Sequence, residues 1–354
     1  MPVNTSRTTY REHTDTENIL KLRQVLSTLP AFCKDYFRAI DSTTTTKTRI
    51  SYAYDIRIFF QFLLDENPAF KNYAMTDFSV EILDQIKAVD LEEYMEYLKV
   101  YQNGDKTETN GERGLKRKIS ALRSFYAYYY KREMIHTNPT VLIDVPKIHD
   151  KSIIRLDTDE VALLLDYIEH CGDSLTGQKR VYYEKTKERD LAIVTLLLGT
   201  GIRVSECVGL DIEDVDFKNN GIKVTRKGGN EMVVYFGEEV EKALKRYLEI
   251  REGITPLAGH EHALFYSAQR KRMGVQAVEN MVKKYSRQIT TTKKITPHKL
   301  RSTYGTALYQ ETGDIYLVAD VLGHKDVNTT KKHYAALDDA RRRQAATAVR
   351  LRED

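Results

Sequence analysis

Cysteine is scarce. Cys33, Cys171 and Cys207 are an odd number, set far apart, with no C-x-x-C pair among them. That argues against both a disulfide framework and a zinc site, so a reducing compartment is expected. Long apolar runs are missing as well. The longest, "LAIVTLLLG" at 191–199, is far short of the ~20 residues that a membrane-spanning helix needs. The opening stretch "MPVNTSRTTYREHTDTEN" lacks the apolar segment of a secretory signal, and the expectation is a cytoplasmic chain with no membrane contact. No G-x-x-x-x-G-K-[ST] stretch occurs, which removes the P-loop route to nucleotide hydrolysis. Nor does any acidic cluster suggest a two-metal nuclease. No cofactor and no metal are expected. Finally, no sign of charge dominates: 55 Lys and Arg against 51 Asp and Glu give a net charge of +4. That is too little to announce nucleic acid, so local clustering must carry any such reading.

What is present is the composition of a soluble globular protein, 41% hydrophobic and 30% charged. A chain of 354 residues is too long for one ordinary core, and two domains are the default. The first 140 residues read as all-helical. Ile50, Tyr54, Ile58 and Phe62 mark one buried helix face, and "DLEEYMEYLKVYQ" (90–102) reads as another helix. From 112 to 131, Leu115, Ile119, Leu122, Tyr126 and Tyr129 form an apolar stripe. Arg113, Lys116, Arg117, Ser120 and Arg123 share a different face, which taken alone also suits a solvated helix. "NPTVLIDVPKIHDKSIIRLD" (138–157), with two prolines and no helical period, reads as a linker. A helix follows, with Asp157 and Glu160 at capping-box spacing. Residues 187–200 form an apolar helix and 201–210 a short one. Two glycine-bearing turns in 214–236 separate three β-patterned runs, which predicts a small three-stranded antiparallel sheet. Everything after 237 reads as helix.

Four stretches of the second half hold residues suited to phosphoryl chemistry. "GTGIRVSE" (199–206) has a glycine turn and then Arg203, a guanidinium able to fork two phosphate oxygens, with Glu206 one helical turn on to orient it. "TRKGGNE" (225–231) places Lys227 at a hairpin tip, from which it could give up a proton to a ligand. In "KKITPHKLRSTYGTAL" (293–308), Pro297 fits a first helical turn and sets His298 and Arg301 at i, i+3. Leu300, Tyr304 and Leu308 would supply that helix's buried face. From Lys283 to Gln310 the sequence holds lysines and arginines, Lys294 and Lys299 among them, and no acid, as suits a polyanion. Last, "LGHKDVNTTKKHY" (322–334) carries His324 and, ten residues on, Tyr334.

Together, these residues in this order resemble the tyrosine recombinase (phage integrase) family, over roughly residues 45–335. Within it the chain is most like the Xer recombinases, especially the single-recombinase Xer proteins of streptococci and lactococci. "KERDLAI", "TRKGG" and a long N-terminal domain carry that likeness. The resemblance implies a mainly α fold with a small three-stranded antiparallel sheet: a helical, SAM-like core-binding domain followed by a catalytic domain. The implied divisions are an N-terminal extension (1–40), a core DNA-binding domain (41–140), a linker (141–156), a catalytic domain (157–336) and a C-terminal tail helix (337–354). The implied catalytic set is Arg203, Lys227, His298, Arg301, His324 and the nucleophile Tyr334. Lys47, Arg49, Arg113, Lys116, Arg117, Arg123, Lys294 and Lys299 are the candidate DNA contacts.

The implied partners are duplex DNA bearing an inverted-repeat site, a homo-tetramer on two such sites, and a DNA translocase or accessory factor. Two features depart from the family. Ser302 stands where a histidine is common, and the His324–Tyr334 interval is ten where Xer proteins usually have nine, the position of His333 here. Some conjugative-transposon integrases also use ten. Chromosome dimer resolution and integration or excision of a mobile element therefore both stay open. More distant alternatives are a type IB topoisomerase and a DNA-binding regulator without chemistry.

Overall fold

A computed structural model describes residues 9–149, 153–226, 229–324, 326 and 327. Lys227, Tyr334 and the expected tail helix 337–354 lie outside the described residues. The chain divides into two compact units, Met1–Asp150 and Lys151–Asp354. Among the described residues no helix is long and apolar enough to cross a membrane.

The first unit is built from α1 (Tyr10–Leu26), α2 (Cys33–Ala39), α3 (Thr46–Glu66), α4 (Ile82–Gln85), α5 (Ala88–Tyr97) and α6 (Glu112–Tyr130). Its core is aromatic. Tyr36, Phe59, Phe60, Phe125 and Tyr129 are all fully buried, and Tyr36 meets Phe125 edge to face at 5.2 Å. The predicted stripe of α6 is buried throughout. That of α3 is only half right. Ile50 and Phe62 are buried, but Tyr54 and Ile58 are partly exposed, and Ala53, Ile56, Phe59 and Leu63 fill the core. Steps of four residues creep around a helix of 3.6 residues per turn, so a buried face follows mixed steps of three and four.

The all-helical expectation fails at 100–109. There β1 (Val100–Asn103) and β2 (Lys106–Thr109) form an antiparallel hairpin, closed over Gly104 in a left-handed conformation (φ 62°). The helix over 90–102 stops at Tyr97, where the Asn110 amide donates to the Leu98 carbonyl at 2.7 Å.

Beneath α6 lies a buried charge cluster. Asp55 of α3 is 3% exposed and accepts from Arg117 and from buried Lys118, the latter at 3.3 Å. Burial raises the Asp55 pKa, against the pull of the two cations. Arg123 is likewise held inward, donating to the carbonyls of Thr140 at 3.0 Å and Ile143 at 2.8 Å. The first part of the expected linker 141–156 is thus fastened to α6, and Ile143 is buried. Its far end belongs to the second unit, where the Leu156 N–H donates to Thr303 Oγ1 at 3.0 Å.

The second unit comprises α7 (Thr158–His170), α8 (Gly177–Thr200), α9 (Val204–Gly209), β3 (Val215–Asp216), β4 (Gly221–Thr225), β5 (Glu231–Tyr235), α10 (Glu238–Glu252), α11 (Val275–Ile289), α12 (Pro297–Thr312) and α13 (Ile315–Leu322). The capping pattern ahead of α7 forms: the Asp157 N–H donates to the Glu160 carboxylate at 2.8 Å. The predicted sheet also forms, antiparallel in the order β3-β4-β5, with Val215 opposite Ile222 and Val224 opposite Met232.

α8 is the central rod of this unit, packing against α7, α10 and α12. Leu191 to Leu197 are buried without a break, as expected of a helix covered on every side. Within "KERDLAI", Arg189 and Asp190 are a buried pair that reaches outward. Arg189 donates to the Tyr266 carbonyl at 2.9 Å, and Asp190 accepts from the Tyr285 hydroxyl at 3.0 Å. After 237 the chain is not all helix. Residues 254–273 form a looped stretch pinned by buried Arg251, whose guanidinium donates to the carbonyls of Glu261, Ala263 and Leu264. Guanidinium-to-carbonyl bonds of this kind leave no period in a sequence.

The Asp55 cluster generates a test. Asp55→Ala strands the Lys118 ammonium in the core, and we expect a loss of about 3–5 kcal/mol in urea unfolding of the full chain. Asp55→Leu combined with Lys118→Met should recover most of it. Equal losses in the single and double variants would refute this account of the cluster.

Candidate active site

The site is built where three helix ends meet, the last residues of α8 and α13 and the first of α9. α8 ends on Gly201, left-handed at φ 61°, where an added Cβ would stand 2.3 Å from the Tyr304 ring. Glycine is required there by both conformation and space. The turn delivers Arg203 to the N-terminus of α9. Its N–H and its Nη1 both donate to the buried Glu206 carboxylate, each at 2.8 Å.

Opposite stands the C-terminal end of α13. Gly323, left-handed at φ 61°, ends the helix. The Gly323 N–H donates to the Asp320 carbonyl at 2.7 Å and the His324 N–H to the Ala319 carbonyl at 2.9 Å. These are the two bonds of a Schellman motif, which leave the carbonyls after Asp320 to find other donors. Arginines supply them. Arg226 donates to Val321 O at 2.7 Å and Leu322 O at 2.9 Å. Arg301 donates to Leu322 O as well and to Gly201 O at 2.5 Å. Arg203 donates to Gly323 O at 3.2 Å. Glu206 lies 3.7 Å from Arg226 as well as against Arg203.

The structure therefore gathers Arg203, Arg301 and Glu206 immediately before half-buried His324. Arg301 is buried at 4% exposure, whereas His298, three residues earlier in α12, is exposed. The shared face expected for the two thus splits into an inward and an outward member. Pro297 opens α12 as predicted. Of its expected buried face, Leu300 is buried but Tyr304 and Leu308 only partly.

Arg226 is the residue that the sequence reading missed. Its signal was present: Ile222, Val224 and Arg226 alternate, and all three point inward from β4. An arginine at an inward strand position must find acceptors. Burial presses its guanidinium below the usual arginine range, opposed by the Glu206 carboxylate.

The candidate DNA contacts divide similarly. Lys47, Arg113, Lys116 and Lys294 are exposed, and Lys299 is half-buried. Arg117 and Arg123 are taken up by Asp55 and backbone carbonyls, as described above. Arg49 is buried and paired with Asp41. The acid-free run around 283–310 does not stay acid-free in space, since Lys293 bridges Asp157 at 2.9 Å and Glu160 at 2.5 Å. The three cysteines are separate and buried, and burial pushes the Cys207 thiol up to about 12. Among the described residues no group of three or more His, Cys, Asp or Glu is placed to hold a metal ion.

Comparison with known proteins gives the family and the fold. The model of the phage integrase family matches residues 155–341. Tyrosine recombinase XerC of Caldanaerobacter subterraneus subsp. tengcongensis is 32% identical over 328 residues, 90% of this chain and 86% of that one. Tyrosine recombinase XerS of Streptococcus uberis is 29% identical over 345 residues, 90% of this chain and 95% of that one. Among solved structures, XerH site-specific recombinase in a post-cleavage complex with a palindromic difH substrate aligns with a TM-score of 0.63 at 20% identity, covering 97% of this chain and 90% of that one. The Tn1549 transposon integrase in complex with circular intermediate DNA gives 0.61 at 21%, covering 85% and 94%.

Glu206 is the carboxylate against Arg203 and Arg226, so its loss leaves two guanidiniums repelling each other in a poorly hydrated place. We expect Glu206→Ala to lower stability by about 3–5 kcal/mol and Glu206→Gln, which keeps one acceptor oxygen, by less. Guanidinium chloride unfolding followed by circular dichroism would check this, and unaltered midpoints would refute it.

Proposed function

This chain belongs to the phage integrase family and is a site-specific tyrosine recombinase, and from that premise we propose how it cuts and rejoins DNA. Tyr334 is the nucleophile, and the covalent intermediate is a 3′-phosphotyrosyl enzyme with a free 5′-hydroxyl on the DNA. The observation that carries this reading is the convergence of Arg203 and Arg301 at the end of α13, from which the chain continues through His324 toward Tyr334.

A free tyrosine, pKa about 10, is almost wholly protonated near neutrality. Exposed His298 accepts the phenol proton as the phenolic oxygen attacks phosphorus. Arg203, Arg301 and His324 stabilise the charge on the non-bridging oxygens. A guanidinium has five N–H donors, so the bonds of Arg203 to Glu206 and Gly323 still leave donors for phosphate. Lys227 protonates the departing 5′-oxygen. The phosphodiester energy is kept in the tyrosyl ester, so rejoining to a new partner strand needs neither ATP nor a metal ion.

Xer-type resolution of chromosome dimers is supported by the two Xer relatives, which match nearly the whole chain. In that role four copies act on two inverted-repeat sites, with a DNA translocase or accessory factor as a further partner. The ten-residue interval favours a second reading, integration or excision of a mobile element, and the likeness to a transposon integrase is compatible with it. Whether the gene lies beside an inverted-repeat site or inside a mobile element decides between them. Of the candidate contacts in the first unit, Lys47, Arg113 and Lys116 are exposed and able to meet DNA phosphates, as is Arg117 beyond its bond to Asp55.

Tyr334→Phe should bind its DNA site and form no covalent adduct, whereas His333→Ala should still form one. Trapping on a nicked suicide duplex and mapping the modified peptide tests this, and an adduct on another residue would remove Tyr334 from the role. Arg203→Ala should slow cleavage on the order of 10²–10³-fold, and a chelator should leave the rate unchanged.

Tetramer assembly is open to a separate experiment. Truncation after Leu337 should leave half-site binding intact but weaken cooperative filling of the full site. Unchanged cooperativity and recombination in gel-shift and plasmid assays would dispose of a role for the tail in assembly.

A further inference from the structure

Arg226 has no part in the proton transfers just described, yet it joins two of the elements that would carry them. Its backbone closes the β4–β5 turn, with its N–H donating to Asn230 O at 2.7 Å and its carbonyl accepting from the Gly229 N–H at 3.0 Å. Its guanidinium leaves the hairpin and forks across two successive carbonyls of α13, Val321 and Leu322. The packing admits little else. A Cβ added at Gly323 would stand 2.7 Å from Arg226 Nη1, and Met232 Sδ lies 2.9 Å from Nε. A planar, delocalised fork spans two acceptors at once, which the point charge of a lysine ammonium does not reproduce. The next residue after Arg226 is Lys227, and the second residue after Leu322 is His324.

We propose that Arg226 is a positioning residue for DNA cleavage, fixing the hairpin that bears Lys227 to the end of α13 that leads to His324 and Tyr334. In this arrangement the proton donor for the leaving oxygen and the segment of the nucleophile share one anchor. Without it the hairpin drifts, and proton delivery to the 5′-oxygen fails before binding does. The proposal rests on the assignment of Lys227 to the leaving group made above.

The test uses the full chain and a nicked suicide duplex selected from a random-sequence library for binding by the unsubstituted protein. It compares single-turnover cleavage of an ordinary phosphodiester with that of a 5′-bridging phosphorothiolate, whose sulfur leaves without protonation. Arg226→Lys should keep the unsubstituted circular dichroism and DNA affinity, and should cleave the ordinary duplex slower on the order of 10²-fold. It should regain most of that loss on the phosphorothiolate, and add no further loss when combined with Lys227→Ala. Arg226→Gln, a neutral and shorter side chain that loses both carbonyl bonds, provides the same comparison where the lysine variant folds poorly. Cleavage at the unsubstituted rate would overturn the proposal. So would an equal loss on both substrates that multiplies with that of Lys227→Ala, the pattern of a purely structural arginine. A Lys227→Ala variant not rescued by the phosphorothiolate brings down the Lys227 assignment, and the proposal with it. Absence of any adduct from the unsubstituted protein would refute the recombinase mechanism itself.

Discussion

A helix that ends inside a protein must place its last carbonyls, and in this chain that requirement organises the site. The Schellman bonds of Gly323 and His324 satisfy Ala319 and Asp320. The next three carbonyls accept from Arg226, Arg301 and Arg203, which come from a strand end, from α12 and from the start of α9. Elements far apart in sequence are thereby drawn to one point. Arg301 reaches back to Gly201 as well, so the ends of α8 and α13 share a donor. The left-handed φ of Gly201 and of Gly323 belongs to the helix caps themselves, and the crowding is a second reason for glycine, since a Cβ would occupy space that Tyr304 or Arg226 already fills.

The choice of acceptor matters for charge. Carboxylates would hold guanidiniums as firmly but would cancel them. Backbone carbonyls hold them while leaving the charge in place, although the negative end of the α13 dipole offsets a part of it. Three guanidiniums meet here, and Glu206 is the carboxylate placed between two of them. The local excess is positive even though the whole chain carries only +4. A phosphodiester approaching this place meets donors already oriented by the fold, so little reorganisation is required as charge develops.

Much of this was legible in the sequence, and the limits of legibility have a common cause. Local chemistry could be read: the α6 stripe, the capping box at Asp157, Pro297 at the start of α12 and the three-stranded sheet. Side chains whose partners are distant could not. Arg117, Arg123 and Arg49 look like a basic surface in one dimension, and each is turned toward an acceptor elsewhere in its unit. Lys293 sits in an acid-free stretch of sequence and touches two acids in space. The β1–β2 hairpin was hidden for another reason. Four residues of strand after a helix are too few to override a helical period, and Gly104 was the local signal against it.

Arg226 lies between these cases. Its inward position follows from strand alternation with Ile222 and Val224, a local rule, whereas its acceptors on α13 are 95 and 96 residues away. Position was readable, and purpose was not. The same holds for the motifs that carry the family likeness. Arg203 and Arg301 read as candidate phosphate ligands by residue type and spacing, and the fold shows both of them bracing the end of α13. An arginine that binds phosphate and also braces its own site cannot be removed without disturbing both. A loss of activity in an alanine variant at either position therefore reports two roles at once. Arg226 differs because its guanidinium bonds helix carbonyls and the Met232 sulfur, with the Glu206 carboxylate 3.7 Å away. Replacing Arg226 by lysine keeps the charge and removes the fork, so that variant reports bracing apart from charge.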